Sequence, residues 1–143
     1  MTYATLSDMT TRFGEVELAQ LTDRAEGLVV QQDVLDRALD DATAEVDGYL
    51  ATRYRLPLAV VPQLLVRLVC DIARYRLYDE RTTEAVRQRY EDSVRMLKSI
   101  STGAVLLAGA ELTGADAPQP TGDSRVTTRT PARMFDPDGL ALY

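Results

Sequence analysis

Apolar residues recur every three or four positions through three long stretches of this chain. Leu35, Leu39, Ala42, Val46, Tyr49 and Leu50 form the first set. That spacing places them on one face of an α-helix, predicted over Asp33–Tyr54 and roughly 33 Å long at about 1.5 Å per residue. Asp33 stands where a carboxylate accepts from free first-turn amides. Leu64, Leu65, Leu68, Val69, Ile72, Ala73 and Leu77 form the second set, over Pro62–Tyr78. Its apolar face is wider, which predicts a central position in the core. Val86, Tyr90, Val94, Leu97 and Ile100 form the third, over Thr83–Ser101, with Thr83 or Thr82 as cap and Gly103 as stop. The proline-marked connector RLPLAVVP is short, so the first two helices form a hairpin. Leu39, Val46, Leu68, Ile72, Tyr90, Val94 and Leu97 are the predicted core.

Residues 1–22 read as short helical pieces broken at Gly14, with Ser7 capping the first. Such pieces are marginal alone and are held by packing on the hairpin. Asp79–Thr82 form a polar break. Val105–Leu107 reads as a short strand or an extended packed segment. From Thr113 the composition turns to Gly, Ala, Pro, Asp and Thr. The domain boundaries that follow are 1–112 for a helical domain and 113–143 for an extended C-terminal arm. The fold class is all-α, a small helical bundle built on a long hairpin plus a third long helix.

Composition narrows the function. With 143 residues and 45% apolar content, the chain supports one ordinary core. Its net charge of −6 argues against nucleic acid as the main partner, since phosphate binding needs a basic surface. No apolar run reaches the length of a membrane span, and no basic-then-apolar leader is visible. The single cysteine, Cys70, cannot form an internal disulfide and sits in an apolar helix as a structural thiol. There is no histidine, the commonest general base and metal ligand. The loop Thr22–Gln32 resembles a calcium loop at Asp23 and Gly27. Ala25 occupies a ligand position and Gly27 comes one place early, so no metal is expected. No phosphate-binding loop, hydrolase elbow or zinc spacing is present. Neither catalysis nor a cofactor is expected.

Two charged faces remain. The first long helix is acidic, with Asp36, Asp40 and Asp47 on the polar side of its stripe. The second carries Arg67, Arg74 and Arg76. Opposite charges on adjacent helices pair within one subunit or between subunits, where they fix register. In the C-terminal stretch Arg125, Arg129 and Arg133 are four apart, followed by Phe135, Leu140 and Tyr143. This pattern suits an arm that orders on a partner.

The segments DGYLATRYRLPL (Asp47–Leu58) and CDIARYRLYDERTTEAVRQRY (Cys70–Tyr90) carry a family resemblance that extends from Tyr3 to about Gly103. The chain resembles the Mu-like phage head–tail adaptors, also called head-completion or connector proteins. The resemblance implies a helical subunit of a ring, dodecameric in number. The ring would bind the portal protein on one side and a tail-side neck or tail-terminator protein on the other. DNA only passes through its channel. The implied location is the virion neck, with assembly in the host cytoplasm and no membrane. The competing reading is a small cytoplasmic helical module that recruits a partner through its tail. A carboxylate-dependent enzyme is the least supported of the three.

Overall fold

The first long helix, α3 below, is built on a stripe that also selects its neighbours. Leu35, Leu39, Ala42, Val46 and Leu50 are buried along one side. In the computed structural model, which describes residues 1–114, five α-helices follow in order. They are α1 (Leu6–Phe13), α2 (Glu15–Thr22), α3 (Gln32–Leu50), α4 (Gln63–Tyr78) and α5 (Glu84–Ser101), with a 3-10 turn at Asp79–Arg81. No strand occurs among the described residues, so the fold is all-α as the periodicity predicts. α4 is central: Leu65, Leu68, Val69, Cys70, Ile72 and Ala73 are at most 1% exposed. It packs on α3 and on α5, while α1 and α2 lie against α3 and α4.

Several local expectations change. α1 is capped by Thr5, not Ser7, through a capping box in which Thr5 Oγ1 accepts from the Asp8 amide and Asp8 Oδ2 accepts from the Thr5 amide. Gln31, not Asp33, is the N-cap residue of α3; Asp33 sits in the first turn and pairs with Arg37 at 3.3 Å. α3 ends at Leu50, and the chain then turns to a buried Tyr54. Pro62 caps α4 rather than belonging to it. In α5, Val94 and Tyr90 are half-buried, and Ser93 takes the core position between Val86 and Leu97. Ser93 can be buried because its hydroxyl donates to the Arg89 carbonyl at 2.9 Å.

Residues after α5 close the upper end of the hairpin. Gly103 has φ +84, a left-handed conformation that favours glycine, and a Cβ there would displace the end of the Arg53 side chain. Val105–Leu107 is a packed segment, not a strand. Leu107 is buried, and its amide donates to Tyr54 Oη at 3.1 Å. The Arg55 amide then donates to the Glu111 carbonyl at 2.8 Å, and the Thr113 amide to the Arg53 carbonyl at 2.8 Å.

Candidate functional site

Three tyrosine–carboxylate contacts tie the helices together and decide which charges remain outside. Tyr3 Oη donates to Asp47 Oδ1, pinning the N-terminal segment to α3. Tyr78 Oη donates to Glu17 Oε1 at 3.0 Å, joining α4 to α2. Tyr90 Oη donates to Glu45 Oε1 at 3.0 Å, joining α5 to α3. Burial, with the carboxylate as acceptor, holds each phenol above its ordinary range, Tyr90 to about 12. A buried hydroxyl needs such a partner, and a carboxylate supplies a strong one. The pattern is not visible in sequence, because the partners lie 44, 61 and 45 residues apart.

The basic residues of α4 divide in the same way. Arg74 Nε donates to Glu17 Oε1 at 2.7 Å and stacks over the Phe13 ring at 4.5 Å. Arg76 donates to Glu45 Oε2 at 2.7 Å, and Tyr90, which shares that carboxylate, stacks in parallel on Tyr75 with centroids 4.1 Å apart. Asp47, Arg74 and Arg76 are therefore engaged within the chain. Asp36, Asp40 and Arg67 are exposed. Arg67 lies on the opposite side of the bundle from Asp36 and Asp40, so the structure does not bring these candidates together. Arg125, Arg129, Arg133, Phe135, Leu140 and Tyr143 fall outside the described residues.

Arg67 belongs to a cleft that periodicity did not reveal. Arg12 of α1, Arg67 of α4 and Arg89 of α5 line it, over an apolar floor of Phe13, Leu68 and Met96. Asp71 is set into it with its side chain 14% exposed, 4.0 Å from Arg89 Nη1. Burial raises the Asp71 carboxyl above its usual range even though four arginines, Arg89 first, pull it down.

Nothing in the described region gathers for chemistry. No group of three His, Cys, Asp or Glu side chains is placed to hold a metal among the described residues. Asp23 is occupied by its own loop: its Oδ1 accepts from the Ala25 and Glu26 amides at 3.2 Å each, and these bonds hold its carboxyl below the usual range. Cys70 is buried, and desolvation pushes its thiol up to about 12. No described helix is long and apolar enough to cross a membrane.

The fold defines an all-α class of protein: a three-helix bundle buttressed by two short helices, with its outward charges on separate faces. The family described as "Bacteriophage Mu, Gp36" matches residues 3–127. The chain is 42% identical over 105 residues to gene product J of Escherichia phage Mu, covering 72% of this chain and 74% of that protein. It is 38% identical over 105 residues to the Mu-like prophage FluMu protein gp36 of Haemophilus influenzae, covering 73% of this chain and 74% of that one. The chain belongs to the phage Mu Gp36 family and is a Mu-like phage protein.

Proposed function

We propose that this chain is a structural head–tail adaptor of a tailed phage. Copies form a ring under the portal after DNA packaging and join the filled head to the tail-side neck or tail terminator. The observation that carries the reading is the distribution of charge in a phage-family protein. Its internal carboxylates and arginines are consumed in holding helices together, and the remaining charge is displayed on two outer surfaces, an acidic face of α3 and a basic cleft lined by α1, α4 and α5. Such faces steer and register protein partners. Net charge of −6 also suits a wall past which DNA slides, because a like-charged surface does not grip phosphate.

In this reading the arm from residue 113 onward anchors the ring to the portal or to an adjacent subunit through Arg125, Arg129, Arg133, Phe135, Leu140 and Tyr143. Each copy adds a weak contact that the closed ring sums. No enzyme activity, metal or cofactor is part of the function.

Lysates from phage lacking the gene should contain DNA-filled heads and finished tails that do not join. Purified protein should restore joining, and protein cut after residue 123 should not. If heads and tails join without the chain, it is no adaptor, and a host-side binding module becomes the better account.

A further inference from the structure

Two surfaces of this subunit match each other and cannot meet within one copy. The cleft is lined by α1, α4 and α5 and by no residue of α3. Arg67 and Asp71 lie on the side of α4 turned away from α3. The outward face of α3 carries Asp36 and Asp40, on the side of the helix opposite Glu45, which pairs with Arg76 of α4. Both are exposed and make no side-chain hydrogen bond or ion pair among the described residues. Arg37, the neighbouring cation, is paired with Asp33 at 3.3 Å, so the face keeps an excess of two negative charges.

The cleft has the opposite balance. Asp92 at its edge is paired with Arg95 at 2.8 Å. Asp71 then stands against Arg12, Arg67 and Arg89, which leaves two positive charges in excess. All three arginines are exposed, and their floor is apolar.

A further feature of α3 points the same way. Gly48 lies inside the last turns of the helix, one turn after Ala44, and both are exposed. Its φ is not positive, and a Cβ there would meet nothing within 4 Å. Nothing within the subunit requires glycine, yet a glycine weakens a helix. A small exposed surface beside a carboxylate row lets another backbone or helix come close.

We infer that the outer face of α3 of one copy, presenting Asp36 and Asp40, docks into the Arg12–Arg67–Arg89 cleft of a second copy. Because the two surfaces differ and lie on opposite sides, the contact is head-to-tail and leaves one free surface of each kind at the ends of any open chain. Such a contact closes into a ring when its rotation permits. The inference rests on the ring reading above and specifies which faces pair. Arg12 and Arg89 enter the interface, while Arg74 and Arg76 stay within their own subunit.

Reciprocal charge reversal tests it. One variant carries Asp36→Lys with Asp40→Lys; the other carries Arg12→Glu with Arg67→Glu. Asp36, Asp40 and Arg67 make no described hydrogen bond, while Arg12 also reaches the Cys70 thiol and both arginines stand against Asp71, so circular dichroism and thermal unfolding check that each variant is intact. Self-association is read by sedimentation velocity on the purified protein and by head–tail joining in lysate. Each variant alone should lose at least about tenfold in association and joining, since like charges then face each other. An equimolar mixture should recover both, because each reversed face finds its reversed partner. Failure of the mixture to recover, or wild-type behaviour of either variant alone, overturns the pairing. These outcomes leave the adaptor reading intact so long as wild-type protein restores joining.

Discussion

Arg74 Nε lies 2.7 Å from Glu17 Oε1, a contact that crosses from α4 to α2 with the two side chains only 17% and 25% exposed. The same oxygen accepts from Tyr78 Oη, and the Arg74 guanidinium covers Phe13 at the end of α1. Helices of eight residues do not persist alone. This knot is therefore what fixes α1 and α2, and with them Arg12. Glu17→Ala removes the acceptor for two donors and should destabilise the bundle by about 2 kcal/mol. Urea unfolding measures the loss, and amide exchange should show it concentrated in α1 and α2. A loss under about 0.5 kcal/mol would mean that the apolar contacts of Met9 and Leu18 suffice.

The tyrosine–carboxylate contacts give the bundle an alkaline limit. Tyr3, Tyr78 and Tyr90 hold their protons more tightly folded than unfolded, Tyr90 up to about 12 against an ordinary 10.0. Cys70 acts in the same direction, from 9.0 up to about 12. For a group with a raised folded value, the native state binds more protons once the unfolded group ionises. The stabilisation is complete below pH 9 and is lost progressively from there towards pH 12. The urea midpoint should fall between pH 9 and pH 11, and Tyr90→Phe should make that fall shallower. An unchanged midpoint across this range would show that these protons are not coupled to folding.

The core has a sharp edge along α5. Leu68, 1% exposed, lies in the centre of α4, and Leu68→Ala should cost about 2–5 kcal/mol. Val94 is half-buried on the outer side of α5, and Val94→Ala should cost less than about 1 kcal/mol. Comparable losses for the two variants would mean that α5 turns Val94 into the core. Thermal unfolding of the two variants side by side decides it.

The difference between Ser93 and Val94 shows how far the pattern of apolar residues could be read. Spacings of four, four, three and three through Val86, Tyr90, Val94, Leu97 and Ile100 established a helix and its approximate face. They did not determine how that face is turned against α4, where Ser93 is buried beside Leu68 and Arg67. The existence of α3, α4 and α5 was legible because long stripes are redundant: one misplaced residue does not change the period. Caps were less legible, because Ser7 and Asp33 are good capping residues two positions inside the true caps at Thr5 and Gln31. The charged candidates were legible as residues and not as neighbours. Asp47, Arg74 and Arg76 look like free surface along a helix, and only the fold supplies Tyr3, Glu17 and Glu45. The Arg12–Arg67–Arg89 cleft joins three elements whose spacing in the chain carries no period at all.

Gly48 separates the demands of folding from those of assembly. It occupies an exposed interior position of α3 with open space where a side chain would stand. Gly48→Ala removes backbone freedom from the unfolded chain without meeting any neighbour, so it should stabilise the isolated subunit by about 0.5–1 kcal/mol. A larger residue tests the outer face. Gly48→Phe has the same free space within the subunit and should leave an intact, folded monomer. If α3 packs closely on a second copy, the ring then aims at that side chain from outside, and head–tail joining should fall while thermal stability does not. Normal joining by a well-folded Gly48→Phe protein would show that nothing approaches this turn of α3, and that its glycine serves neither the bundle nor the assembly.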